Sequence, residues 1–218
     1  MENSPSLLYH LEQRRGVWWN LKKKSQDNRV QQGKAPYPTL LLTDTQSTKN
    51  SDYTGKELTG FDGGKKIKGI KKSISVDTTG FPPDADFIQI DTANASERQM
   101  CKTGFEAVSK IDPNLIKHLK KNISDGGYDG KQWIQSMKDE FDIEIEITQR
   151  TDIKNGVVSK IRWISERTFA WLDKNRRLSK NYEGTYRSTK SMILLVFIRL
   201  LCRRLTGCCS LKWVKKSV

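Results

Sequence analysis

"PTLLLTDTQSTKN", residues 38–50, sets three consecutive leucines between a proline and a run of polar, turn-prone residues. A short apolar stretch bounded in this way reads as a buried β-strand. The strand is expected to stop at Asp44, with Asp44-Thr45 opening a turn. Upstream, residues 7–24 carry a short helical pattern containing Trp18, Trp19 and Leu21, and "SQDNRVQQGKAP" (25–36) reads as a polar linker. Downstream, "KKIKGIKKSISVDTTGFPPDADFIQIDT" (65–92) reads as a hairpin-rich region. Ile67 and Ile70 sit among lysines, Ile74 and Val76 alternate with serines, residues 80–83 supply a turn, and "FIQIDT" forms a further strand.

Beyond this point helices and strands alternate. "SERQMCKTGFEAVSKI" (96–111) is helical, with Ser96 as its N-cap. A lysine-rich strand is expected to end near Asp125, "KQWIQSMKDEF" (131–141) is an amphipathic helix, and "DIEIEIT" (142–148) alternates as a strand. Helices over 161–175 and 188–205 close the domain, and the tail "TGCCSLKWVKKSV" has no usable period. Strands grouped first, then alternating with helices, predict an α/β domain in which a mixed sheet is covered by helices. The chain divides into a helical segment and linker (1–35), the main domain (36–205) and an irregular basic tail (206–218).

The 218 residues include 39 Lys+Arg against 25 Asp+Glu, a net charge of +14. That surplus points to a polyanionic partner, because each phosphate neutralised by Lys or Arg releases condensed counterions. An anionic membrane surface is the alternative. "SMILLVFIRLLCRRL" (191–205) is apolar, but Arg199 interrupts it, and the run falls short of the roughly 20 residues that span a bilayer. Ile193, Val196, Phe197, Leu200 and Leu201 follow the spacing of a core-packing helix. The cysteines, Cys101, Cys202, Cys208 and Cys209, form no C-x-x-C pair, and neither His10 nor His118 lies near one, which argues against a structural zinc site. The first ten residues lack a signal-peptide pattern, and reduced thiols in a cytoplasm are expected.

"WISERTFAWLDKNRRLSKNYE" (163–183) places Glu166 ahead of a series of arginines and lysines. On a helical wheel Arg162, Glu166, Phe169, Ala170, Asp173 and Arg177 share one side, and Ile164, Thr168, Trp171 and Leu172 the other. Glu166 therefore lies off the main apolar stripe. Taken singly, it reads as a surface acid paired with Arg162, and Asp44 and Asp125 read as turn aspartates. Taken together, three carboxylates at strand ends and on a covering helix would repel one another unless cations stood between them. One or two Mg²⁺ ions meet that need, and a two-metal pair suits phosphodiester chemistry.

"TDTQSTK" (43–49), "SDGGYDGK" (124–131) and "RWISERTFAWLDKNRRLSKNYE" (162–183), in that order, resemble the signature blocks of bacterial insertion-sequence transposases of the DDE class. "DGGKKIKGIKKSISVDTTG" (62–80) is similar to the segment those enzymes carry between their two aspartates, and "STKSMILLVFIRLLCRRL" (188–205) to their closing helix. The resemblance covers about residues 37–205. It implies a ribonuclease-H-like mixed β-sheet flanked by α-helices, with Asp44, Asp125 and Glu166 as catalytic residues and ligands of two Mg²⁺ ions, Mn²⁺ substituting. It implies cleavage and strand transfer on double-stranded DNA, at element ends and at a target, in the cytoplasm of a bacterium at its nucleoid. A homodimer in the synaptic complex and no membrane partner are further expectations.

Candidate phosphate contacts are Lys65, Lys66, Lys68, Lys71, Lys72, Arg162, Lys174, Arg176, Arg177 and Lys180. Trp163 and Trp171 are expected in the core. The chain departs from the family at Ser159, where a tyrosine is usual, and at Asp173, where a lysine is usual. It also starts about forty residues before Asp44, so most of the family's upstream helical region is expected to be absent, as in a truncated copy. Two rival readings stay open: a catalytically inactive DNA-binding remnant, and a ribonuclease-H-like nuclease without strand transfer.

Overall fold

A computed structural model describes residues 16–52, 54–148 and 157–207, with the side chains of residues 16–19 and 157–162 outside that description. Helix α1 (Gly16–Gln31) leads into β1 (Leu40–Lys49), then β2 (Gly60–Asp62), β3 (Ile67–Val76) and β4 (Ile88–Thr92). Helices α2 (Glu97–Ile111) and α3 (Pro113–His118) precede β5 (Lys121–Asp125). The order closes with α4 (Lys131–Phe141), β6 (Glu144–Thr148), α5 (Val157–Asp173), the short α6 (Arg176–Ser179) and α7 (Tyr186–Leu205). The six strands form one sheet in the order β2-β3-β1-β5-β6, with β4 following β2 along the outer edge of β3. β1, β5 and β6 run parallel, and β3 is antiparallel to β1, β2 and β4.

Both faces of this sheet are covered. On one face Leu42, Ile74 and Val76 pack with Phe169 and Leu172 of α5 and with Ile193, Phe197 and Leu201 of α7. The spacing that predicted a core helix at the end of the domain holds in α7. No helix among the described residues is long and apolar enough to cross a membrane. On the other face Leu41 meets Phe105 and Val108 of α2, Leu115 of α3 and Met137 of α4. Ser96 caps α2 by accepting from Gln99 N–H, as expected.

Two elements exceed their predicted limits. The stretch read as a linker continues α1 to Gln31, because Ser25, Asn28 and Arg29 are buried there. Arg29 donates to the carbonyl of Ala35 at 2.7 Å and to Asp77 Oδ2 at 2.6 Å, locking the helix end to the loop after β3. The second is β1. It does not stop at Asp44 but pairs with β3 from Leu42 to Lys49. Thr43, Thr45 and Ser47 point to one face and are buried, where their hydroxyls find partners. A polar strand survives inside a sheet when its hydroxyls are satisfied in this way.

Candidate active site

The parallel register between β1 and β5 matches Leu42 with Ile123 and Thr43 with Ser124. The next step along both strands brings Asp44 beside Asp125, on the face that α5 covers. A small cavity of about 50 Å³ opens there, walled by Asp44, Asp125, Thr148 of β6 and Ser165 of α5. That is room for a few waters or a partly hydrated ion rather than for a nucleotide.

Asp44 is the electrostatically strained member. Its carboxyl is raised from the ordinary 3.8 to about 6, chiefly by burial and further by the charge of Asp125. Three groups oppose the rise: the Thr45 N–H, which donates to Asp44 Oδ1 at 2.7 Å, the Ser165 hydroxyl and the charge of Lys65. Burial beside a like charge is the combination that favours a bound cation.

Glu166 follows Ser165 on α5 but is exposed, and Ser165 faces the cavity instead. Among the described residues no three His, Cys, Asp or Glu side chains are gathered closely enough to hold a metal. Two carboxylates of the sequence-derived triad therefore come together, and the third, Glu166, is exposed and does not line the cavity. The pair fits a hard cation, since Mg²⁺ is held through one or two carboxylates with water and substrate phosphate completing its shell. Ser165 and Thr148 gave no sequence signal of their own; only the register of β6 against β5 and the phase of α5 reveal them.

The basic residues separate into two groups. Lys65, Lys66 and Lys68, around the β2–β3 turn, are exposed, as are Lys174, Arg176 and Lys180. Arg177 is exposed too, with its Nε donating to Glu183 Oε1 at 2.8 Å. Lys71 and Lys72, expected among the phosphate contacts, are both buried. Strand β3 has helices on both sides, so successive residues point inward in turn. The Lys71 ammonium donates to Ala95 O at 2.9 Å and lies 3.5 Å from Glu97, while Lys72 donates to Leu178 O at 3.0 Å. The side chains of Arg162 and Ser159 lie outside the described residues.

Asp173, the departure from the expected lysine, is explained by its neighbours. Gln46 Nε2 donates to Asp173 Oδ2 at 2.7 Å. Burial pulls the Lys72 ammonium down to about 8 while the charge of Asp173 supports it. A cation thus lies near this position after all, supplied from β3. Trp171 packs against the core as expected, but Trp163 is 54% exposed. Arg167 lies between the two rings, 4.6 Å from Trp163 and 4.7 Å from Trp171, which holds the exposed indole in place.

A sheet of this order, with an aspartate on each of its two central parallel strands, defines a ribonuclease-H-like fold with an acidic pair at its centre. Residues 36–201 match the Transposase DDE domain family, and the chain belongs to that family. It is 32% identical over 145 residues to a Burkholderia cepacia protein named "Putative transposase for insertion sequence element IS402". That alignment takes in 66% of this chain and 63% of the relative.

Proposed function

We propose that this chain is the catalytic domain of an insertion-sequence transposase, cutting and rejoining DNA with Mg²⁺. The observation that carries the reading is the strand register that sets Asp44 beside Asp125 in a chain of this family. Asp44 and Asp125 would hold the ion, and Glu166 on α5 would complete the set for a second one. The ions, when bound, supply charge stabilisation and an activated nucleophile for in-line displacement at a phosphodiester. The chain's own residues do the rest. Asp44 would take the ion as its carboxylate, oriented by the Thr45 N–H and by Ser165, and the exposed lysines and arginines would hold the DNA backbone. Double-stranded DNA is the proposed substrate, at element ends and at a target, with a homodimer bridging the two ends in the bacterial cytoplasm.

The test is nicking of a duplex carrying the element's terminal repeats, with Mg²⁺ or Mn²⁺. Asp125→Asn and Glu166→Gln should each abolish nicking and leave salt-sensitive DNA binding intact. Full nicking by either variant would overturn the assignment. The exposure of Glu166, outside the cavity lining, favours a second reading, a DNA-binding protein without catalysis. Wild-type chain that binds DNA yet nicks under neither metal would establish that one.

A further inference from the structure

The β2–β3 hairpin carries an exposed aromatic ring that the core does not use. Phe61 is 58% exposed and stands opposite Lys68 in the antiparallel pairing of β2 with β3. Lys65 and Lys66 occupy the turn between the strands, and both are exposed. Apolar residues left on a short hairpin are usually turned inward against a sheet; here Asp62 takes the inward direction and Phe61 the outward one.

The hairpin is built to hold this arrangement. Asp62 Oδ2 accepts from Ser47 Oγ at 2.6 Å, and Asp62 Oδ1 accepts from the backbone N–H of Gly64 and Lys65 at 3.1 and 3.0 Å. At the base, Gly60 pairs with Gly69, and a Cβ on Gly69 would lie 2.0 Å from the carbonyl oxygen of Thr48. Only glycine lets β3 approach β1 so closely there. Lys66 has φ +54°, the left-handed region where glycine is the usual occupant, so a charged side chain stands where backbone geometry would favour none. The turn also reaches the acidic pair: Lys65 Nζ donates to the carbonyl of Thr45, next to Asp44, at 3.3 Å.

Three exposed lysines on the hairpin that carries one exposed ring, with Lys65 reaching the strand of Asp44, match the chemistry of a nucleic-acid strand that has left its duplex. Lysines take the phosphates, and an aromatic face takes a base. Inside an intact duplex the base faces are already stacked, so the ring best suits a base that has left the stack. We propose that the β2–β3 hairpin grips a DNA end, Phe61 stacking on an unpaired base while Lys65, Lys66 and Lys68 hold the adjoining phosphates. The proposal rests on the reading of the chain as a DNA-acting protein, though not on its catalytic competence.

The experiment is fluorescence anisotropy on the full chain in EDTA, with a labelled duplex carrying a short single-stranded overhang and a blunt duplex of the same sequence. Phe61→Ala should weaken overhang binding about tenfold and blunt binding less than about twofold. Phe61→Trp should keep the overhang preference, and Phe61→Leu, which keeps apolar bulk without a π-face, should lose it. Lys66→Gln with Lys68→Gln should weaken both ligands and flatten the salt dependence by roughly one unit of log–log slope per charge removed. An unchanged overhang preference in Phe61→Ala, or its retention in Phe61→Leu, would overturn the proposal. Nicking is a separate readout. Overhang preference without nicking removes only the catalytic reading, nicking with no effect at Phe61 removes only this one, and wild-type chain that binds neither duplex removes both.

Discussion

Asp44 offers a measurable consequence of placing two carboxylates side by side. Its carboxyl sits at about 6 in the folded chain against an ordinary 3.8. A raised carboxyl favours the protonated form, so the folded state binds more protons than the unfolded state between these two values. Stability therefore falls as pH rises through that window. The cost is absent below the unfolded value and fully present above the folded one, where it amounts to about 3 kcal/mol at most. Asn in place of Asp44 keeps an oxygen for the Thr45 N–H and for Ser165 but carries no charge to desolvate or to oppose Asp125. Asp44→Asn in EDTA should thus be more stable than wild type at pH 7 by about 2–3 kcal/mol, with the gap closing towards pH 4. Urea unfolding across this range, at unchanged m-value, reads the difference. Mg²⁺ should stabilise wild type and leave Asp44→Asn almost unmoved, since only the charged pair gains from the ion. A gap between the two proteins that stays constant from pH 4 to pH 7 would refute the coupling of burial and like charge at this site.

Three further substitutions test the frame around the cavity. Asp77→Ala removes a fully buried carboxylate that accepts from Thr79 N–H and Arg29, so the buried Arg29 guanidinium keeps the Ala35 carbonyl but loses this counter-charge; unfolding should cost about 3–5 kcal/mol less, read by urea midpoint. Gly69→Ala drives a Cβ to 2.0 Å from Thr48 O and 2.8 Å from Asn50 N, both backbone atoms of β1 and its end. It should lose about 3 kcal/mol and raise amide exchange at the hairpin base. Thr43→Val keeps the shape but removes the hydroxyl that lies 2.7 Å from Ser75 Oγ and 2.8 Å from Asn122 Oδ1; a loss of about 2–3 kcal/mol is expected, and wild-type stability in this variant would show that the buried polar layer contributes nothing.

Much of the fold was legible because its signals were local. The alternation in residues 142–148, the Ser96 cap and the period of α7 each dictate an element from within one segment. The misread parts depended on distant partners. Residues 45–49 of β1 are polar, and only the pairing with β3 and the hydroxyl contacts of Thr45 and Ser47 on one face show why they remain strand. Lys71 and Lys72 belong to a run that looks solvated until helices are placed on both faces of β3. Trp163 is exposed although large and aromatic, because the Arg167 guanidinium stacks on it from its own helix. Asp77 opens Asp-Thr-Thr-Gly, a local turn signature whose carboxylate closes on Thr79 N–H at 2.8 Å. At the site, Asp44 and Asp125 could be named from sequence, but Ser165 required the phase of α5, and that phase is fixed by what Thr168 and Leu172 bury.

The position of Asp44 relative to Asp125 depends on a register that apolar patterning alone would leave ambiguous. Leu41 and Leu42 are both buried, one in each core, so a one-residue slip of β1 would still bury leucine on both faces. Such a slip would, however, turn Asp44 to the opposite face and away from α5. What distinguishes the two registers is the polar layer beside the strand. Thr43 Oγ1 reaches Ser75 of β3 on one side and Asn122 of β5 on the other, and Asn122 Nδ2 goes on to Ser124 Oγ at 3.2 Å. A slip would bury these hydroxyls and amides without partners, at a cost of about 1–3 kcal/mol for each group left unsatisfied. The buried hydroxyls of β1 thus act as the device that holds the acidic pair together, and they explain why a strand at the centre of the sheet is so polar.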